Sequence, residues 1–209
     1  MEKYILDTSL FFNMEAGFSL GKNTNEVITN LINYAEKLKG KIDFLMPPGV
    51  VEEFLSFFED KKQERIKKLL SLIIIKSPDT NKIELPAAIF YRLIADVRKR
   101  NYQGLNLGEE EINKAGRLMQ GLENLSKKDY EIKIGTIIKN FRSRYRQATR
   151  TGFLDSVTDL DLIILTKEVE GFLISADEGV ISWGRFFGVK EVRPPSFRPR
   201  LESLLDRRG

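Results

Sequence analysis

Three aspartates stand close together in the segment LDSVTDLDLIILT, residues 154–166. Asp155, Asp159 and Asp161 fall within seven positions and lead directly into an apolar run. Two carboxylates about 4 Å apart repel each other by roughly 4 kcal/mol at an effective dielectric constant near 20. A crowded group of carboxylates therefore stays ionised only with a cation among its members, or else its pKa values rise. This segment is a candidate cation site.

Other acids follow the predicted strands of a parallel sheet. Asp7 comes directly after YIL, and Asp177 comes directly after FLISA. In open parallel sheets, ligands collect outside the carboxyl ends of the strands, so these acids are expected near one edge. The complete set of candidate catalytic acids is Asp7, Asp155, Asp159, Asp161 and Asp177, with Glu52, Glu53 and Glu178 as further candidates.

Each acid taken singly also has a purely structural interpretation. Asp161 would be the third residue of a helix capped by Thr158, which is a common position for an acid. Asp7, in the sequence DTS, would form an Asx turn, and Asp177 would be a turn residue. The convergence of several acids on one sheet edge favours a functional site over these separate interpretations.

The composition restricts the chemistry that such a site can perform. The chain has 209 residues, 42% of them hydrophobic, and it contains neither cysteine nor histidine. These absences exclude thiol nucleophiles, thiolate zinc sites and the usual general base near neutral pH. Oxygen ligands select Mg²⁺ or Mn²⁺, and Mg²⁺ typically binds through one or two carboxylates together with substrate phosphates. Metal-assisted phosphodiester hydrolysis, which leaves 5′-phosphate and 3′-hydroxyl ends, fits these constraints.

The elements that must position these acids alternate between strands and helices. Buried strands are predicted at 3–7, 43–48, 69–78, 171–177 and 187–195, with helices at 25–38 and from Pro48 onward. This order predicts an α/β fold in which helices flank both faces of a parallel sheet. The N-terminal segment has no signal-peptide pattern, and the chain has no apolar run of about 18 residues, so a cytoplasmic protein is expected.

The pattern changes to helix without strands between residues 85 and 150. We interpret this stretch as a helical insertion in an α/β core of residues 1–84 and 151–209. Three helical segments are predicted in the insertion, with the basic sequence VRKRNY, residues 97–102, at the end of the first.

Basic side chains recur on one face of the last inserted helix, which is predicted over 133–150. Arg142, Arg146 and Arg150 are spaced four apart, in a chain with 34 Lys and Arg against 30 Asp and Glu. Such a stripe is either a solvated helix face or a set of phosphate contacts that position RNA without reading its sequence. The candidate RNA-binding residues are Lys139, Arg142, Arg144, Arg146 and Arg150, with Arg98, Lys99 and Arg100 in the VRKRNY cluster.

These motifs resemble those of PIN-domain nucleases. More narrowly, YILDTSLFFN, MPPGVVEEF, the aspartates of 154–166 and ISADEGVISWGRFFGV resemble the small prokaryotic protein-only ribonuclease P family, once labelled RNA ligase partner proteins. The resemblance covers nearly the whole chain. It places the acidic site on Asp7, Asp155, Asp159, Asp161 and Asp177, of which Asp7, Asp159, Asp161 and Asp177 would hold the metal. The choice between Glu52 and Glu53 stays open.

The resemblance implies a Mg²⁺-dependent endoribonuclease that removes the 5′ leader from precursor tRNA, with Mn²⁺ as a substitute metal. It also implies a homo-oligomer, in which dimers assemble through the helical region into a larger ring or star, up to a dodecamer. No membrane or DNA partner is expected. Two alternatives are a toxin-type PIN ribonuclease, which the long helical insertion disfavours, and a non-catalytic RNA-binding partner of an RNA ligase.

Overall fold

The computed structural model describes residues 1–121, 126–154 and 156–206, and the chain divides into two compact units. An α/β unit comprises Met1–Leu85 with Leu154–Gly209, and a helical unit comprises Pro86–Phe153. The sequence pattern predicts the helical insertion at residues 85–150. The candidate acids belong to the first unit and the candidate RNA-binding residues to the second.

The α/β unit is built on a parallel sheet. Its strands are β1 (Glu2–Leu6), β2 (Ile42–Met46), β3 (Ile73–Ile75), β4 (Phe172–Ile174) and β5 (Lys190–Glu191), in the order β3-β2-β1-β4-β5. Ile5, at the centre of the sheet, lies beside Leu45 of β2 and Leu173 of β4 in parallel register. All three side chains are buried, as continuous apolar strands covered on both faces require. The predicted α/β class with a parallel sheet is confirmed.

Helices connect the strands. In chain order they are α1 (Ser9–Phe12), α2 (Thr24–Lys37), α3 (Pro48–Ser56), α4 (Glu64–Leu72), α5 (Ala88–Met119), α6 (Lys127–Arg150), α7 (Val157–Glu168), α8 (Glu178–Phe187) and α9 (Pro194–Asp206). Pro48 occupies the first position of α3, where its missing N–H costs no hydrogen bond. Across the described ranges, no helix combines the length and apolarity needed to cross a membrane.

The third strand is shorter than the sequence predicts. Residues 69–78 are predicted as strand, but α4 continues to Leu72 and β3 begins at Ile73. Ile66 and Leu69 are both buried at helical spacing. The first half of this apolar run therefore packs as an amphipathic helix, and the prediction is wrong for residues 69–72.

The helical unit contains a hairpin of α5 and α6 in place of the predicted succession of three helices. α5 runs without a break through Gly104 and Gly108, so the basic sequence 97–102 lies inside a helix and not at its end. A Cβ added to Gly104 would lie 2.6 Å from Cε2 of Tyr145 on α6. Glycine lets the two helices approach closely there, and this packing outweighs its low helix propensity.

Candidate active site

The sheet reverses its strand order beside β1. The chain builds β1, β2 and β3 in one direction and then returns to add β4 and β5 on the other side. Ligands of open α/β sheets bind at the carboxyl ends of the strands where such a reversal occurs. Asp7 directly follows β1, and Asp177 lies three residues beyond β4. Both line a cleft of about 290 Å³, which Glu53 of α3 and Asp159 of α7 also line.

Asp7 is buried at the floor of this acid cleft, with 6% of its surface exposed. Its Oδ2 accepts hydrogen bonds from the hydroxyls of Ser175 at 2.6 Å and Ser9 at 2.7 Å. Its Oδ1 accepts one longer hydrogen bond, from the hydroxyl of Thr8 at 3.3 Å. Two short hydrogen bonds thus engage Oδ2, while Oδ1 keeps the larger share of its lone-pair capacity for a further ligand.

Ser9 and Ser175 also bind the backbone beyond β4. The Ser9 hydroxyl accepts a hydrogen bond from the Ala176 N–H at 2.9 Å, and the Ser175 hydroxyl accepts one from the Asp177 N–H at 3.0 Å. Each serine thus donates to Asp7 and accepts from the loop that carries Asp177. The two hydroxyls fix the position of Asp7 relative to the start of α8.

Asp177 is the N-cap of α8. Its Oδ1 accepts a hydrogen bond from the Val180 N–H at 2.9 Å, so this acid has a structural role as a cap. The cap engages one carboxylate oxygen, while the exposed side chain still lines the acid cleft.

The aspartates of residues 154–166 have different environments. Ser156 caps α7 and accepts hydrogen bonds from the N–H groups of Thr158 at 3.0 Å and Asp159 at 3.4 Å. The predicted cap at Thr158 is wrong, because the serine two residues earlier already satisfies the first turn. Asp159 is then the third helical residue. Asp161 lies further along α7, is not among the residues that line the acid cleft, and has its pKa raised by burial; Asp155 lies outside the described residues.

The three candidate glutamates also lie in different environments. Glu53 lines the acid cleft, whereas Glu52 is exposed outside it and Glu178 lines a second cleft beside Arg185. Burial and the charge of Asp7 raise the pKa of Glu53, and a hydrogen bond from Thr8 partly offsets this effect. Although Glu53 is exposed over much of its surface, its carboxyl group therefore experiences the repulsion expected of crowded acids.

The donors around the acid cleft suit a hard divalent cation. They are carboxylates and hydroxyls, joined by Asn13, and oxygen ligands favour Mg²⁺ or Mn²⁺. Within residues 1–121, 126–154 and 156–206, no three acidic side chains form a group that could hold an ion. The use of Asp7, Asp159, Asp161 and Asp177 as metal ligands stays a prediction. An ion here would need water or substrate oxygens to complete its coordination, which is usual for Mg²⁺.

The basic residues of the helical unit form two groups. Arg144 donates hydrogen bonds to Glu111 at 2.5 Å and Glu110 at 2.8 Å, and Arg100 donates to the Thr151 carbonyl oxygen at 3.1 Å. These two arginines form hydrogen bonds inside the hairpin, and their use as phosphate contacts stays a prediction. The other candidates have exposed side chains; they are Lys139, Arg142, Arg146, Arg150, Arg98 and Lys99.

Comparison with known proteins identifies the family. A family model described as PINc domain ribonuclease matches residues 3–206. The chain is 36% identical over 208 residues to the RNA-free ribonuclease P of Pyrococcus furiosus, covering 99% of this chain and 96% of that protein. The chain belongs to the RNA-free ribonuclease P family. Family members from Thermococcus kodakarensis and Thermodesulfovibrio yellowstonii are each 34% identical, covering 98% and 97% of this chain and 96% and 95% of those proteins.

Family membership confirms the resemblance found in the sequence motifs, together with the expected PIN-like fold and ribonuclease class. PIN nucleases generally use divalent metal ions. The oxygen donors of the acid cleft agree with that general property.

Sequence reasoning missed the hydroxyls that hold Asp7 and two aromatic rings beside the acids. Ser9 and Ser175 belong to the motifs DTS and SADEG, so serines two residues from an acid were an available signal. Phe12 and Phe57 line the acid cleft as well. Their positions in apolar segments predict a core role, and composition alone does not distinguish an exposed ring from a buried one.

Proposed function

We propose that this chain removes the 5′ leader from precursor tRNA by metal-dependent hydrolysis of one phosphodiester bond, leaving 5′-phosphate and 3′-hydroxyl ends. The observation that carries the proposal is the acid cleft at the strand reversal, in a chain without histidine or cysteine. Its relatives are named RNA-free ribonuclease P, which supplies the substrate class. A precursor tRNA as substrate also favours the cytoplasm as the site of action.

The residues that would hold Mg²⁺, or Mn²⁺ in its place, are Asp7, Asp159 and Asp177, with Asp161 and Asp155 as further contributors. A bound ion of this kind supplies a water of lowered pKa and stabilises the leaving oxygen. Ser9 and Ser175 would keep Asp7 oriented toward that position through their paired hydrogen bonds. Glu53, whose pKa is raised, would hold a proton more readily than an ordinary glutamate and suits proton transfer at this edge.

The exposed basic side chains of the helical hairpin would bind the RNA backbone. Arg142, Arg146 and Lys139 recur along α6, and Arg98 and Lys99 are exposed on α5. Arginine and lysine contacts to phosphate supply affinity and orientation without reading sequence. Arg144 and Arg100 would support this surface indirectly, through their hydrogen bonds within the hairpin.

The same hairpin would join copies of the chain, first into dimers and then into a larger ring or star, up to a dodecamer. Support comes from apolar side chains that are exposed in the single chain, with Ile112 73% exposed and Ile94 60% exposed. Ile112 also lines an apolar groove of about 270 Å³ between α5 and α6. An exposed apolar surface of this kind is typical of an interface between subunits.

The deciding experiment is cleavage of a 5′-end-labelled precursor tRNA in the presence of Mg²⁺, with mapping of the cut and of its end groups. Asp7→Asn, Asp161→Asn and Asp177→Asn should each lower the rate by orders of magnitude, because an amide is a poorer ligand for a hard cation. Asp43→Asn, on β2 away from the acid cleft, is the matched control and should cleave normally.

Two results would redirect the proposal. RNA binding without cleavage, unchanged in Asp7→Asn, would support a non-catalytic partner of an RNA ligase. Cuts scattered through unrelated RNAs, in place of one cut at the leader junction, would support a toxin-type ribonuclease.

A further inference from the structure

Two phenylalanine rings line the same cleft as the acids. Phe12 ends α1, and Phe57 directly follows α3. The rings stack on each other, with centroids 4.0 Å apart and planes inclined by 26°. Phe57 is 56% exposed, although the α/β unit has an apolar core in which its neighbour Phe54 is fully buried. An exposed ring is thus held beside Asp7 and Asp177.

The ring of Phe57 rests on a supported surface. Phe12 lies 5.9 Å from Phe54 and 6.0 Å from Phe58, measured between ring centroids. Phe54 in turn packs 4.7 Å from Phe11, a fully buried residue of α1. One face of Phe57 is covered by this cluster, and the exposed remainder of the ring borders the cleft. Rigid aromatic surfaces of this kind bind planar groups by stacking at little cost in side-chain entropy.

We infer that Phe57 is a stacking platform for the base of the last leader nucleotide, the one that adjoins the scissile phosphate. The inference rests on the proposed function, which brings that phosphate to the acids. The first nucleotide of the mature tRNA is paired in the acceptor stem, so the unpaired base next to the cut is on the leader side. Unpaired bases are commonly bound by stacking on aromatic side chains. Stacking tolerates any base, which suits leaders of varied sequence.

The assignment makes Phe57 a positioning residue. It touches the base and not the reacting phosphate, and it carries no charge that would compete with a cation at the carboxylates. By holding the base it would restrict the phosphodiester to one orientation over Asp7 and Asp177. The expected consequence is precision of the cut as well as affinity for the leader.

The test is a double-mutant cycle between the protein and the RNA. Phe57→Leu keeps an apolar side chain but removes the aromatic face, and an abasic last leader nucleotide removes the base while keeping every phosphate. Each change alone should lower single-turnover kcat/KM by about 5- to 150-fold, the range expected for one base–aromatic stack. Combined, they should lower it no further than either alone, and Phe57→Trp should restore the rate on the natural RNA.

Phe58→Leu is the matched control, since it alters the same aromatic cluster at a residue that is not among those lining the cleft. Its cleavage of both RNAs should parallel that of the unaltered protein. Multiplicative losses in the cycle would overturn the inference, as would full-rate cleavage of the abasic RNA by the unaltered protein. The second result decides the matter even where Phe57→Leu fails to fold. Absence of any cleavage by the unaltered protein would instead overturn the proposed function, and this inference with it.

Discussion

Ser175→Ala removes the hydroxyl that connects Asp7 to the loop after β4. The side chain is 2% exposed, and its Oγ donates to Asp7 at 2.6 Å and accepts from the Asp177 N–H at 3.0 Å. A hydrogen bond to a charged group contributes about 1.5–3 kcal/mol, and one between neutral groups contributes about 1 kcal/mol. Because Ser9 still donates to the carboxylate, we expect the free energy of unfolding to fall by about 2–4 kcal/mol.

Cleavage should slow as well, because the Ser175 hydroxyl that binds both Asp7 and the Asp177 N–H is lost. A displacement on the order of 1 Å near a reacting group lowers rates by about 100-fold. We therefore expect Ser175→Ala to lower the single-turnover cleavage rate by roughly 10- to 100-fold. RNA affinity should change little, since the exposed cations of the hairpin are untouched.

Urea unfolding followed by circular dichroism measures the first effect, and single-turnover cleavage of precursor tRNA measures the second. Ser71→Ala is the matched control, because the Ser71 hydroxyl donates to the Lys68 carbonyl oxygen on the exposed side of α4. Its stability should stay within about 0.5 kcal/mol of the parent protein. Ser175→Ala would contradict this prediction if it matched the parent protein in both stability and cleavage rate. A loss of stability with an unchanged cleavage rate would show that the hydroxyl has only a structural role.

Three further predictions follow from other contacts. A raised pKa means that the folded state binds the Glu53 proton more tightly than the unfolded chain does, so the stability from this group is lost as pH rises through the folded pKa. Glu53→Gln should therefore raise the urea midpoint of unfolding near pH 7 in metal-free buffer and leave it unchanged near pH 3. A variant whose midpoint equals that of the parent protein at both pH values would contradict this prediction. Arg142→Ala should lower the salt slope of RNA binding by about 1, whereas Arg144→Ala, which breaks ion pairs inside the hairpin, should leave that slope nearly unchanged in anisotropy titrations. Gly104→Ala should lose about 1–2 kcal/mol of stability because the facing tyrosine ring must move, whereas Gly116→Ala, whose Cβ meets open space, should gain up to about 1 kcal/mol in thermal melts.

The sequence predicts the fold well where a single residue pattern determines the local structure. Asp7 and Asp177 could be placed at strand ends because short apolar runs precede them, and parallel strands end at a common edge. The run from Leu69 to Ile75 could not be divided, since helix and strand both bury such residues and only packing decides between them. The continuity of α5 could not be predicted either. Gly104 indicates a helix end in the sequence, and only its close contact with α6 explains why the helix continues.

The candidate site is less accessible to sequence reasoning than the fold. The acids have a recognisable spacing, but the choice between Glu52 and Glu53 depends on the rotation of α3 about its axis. Arg144 and Arg142 look equivalent in the sequence, and only the positions of Glu110 and Glu111 on the other helix separate them. Pairings between distant segments thus determine which charged groups stay available to a ligand.

The close approach at Gly104 and the ion pair of Arg144 with Glu111 together favour one register of the hairpin. If α6 slid by one turn, about 5.4 Å, Arg144 would leave Glu111 in either direction, and in one direction the Tyr145 ring would meet the Arg100 side chain. The spacing between cationic groups on the two helices is consequently set by covalent sequence before any RNA arrives. If the hairpin binds RNA as proposed, a substrate whose phosphates do not match that spacing would have to deform, and the hairpin would discriminate against it without contacting a base.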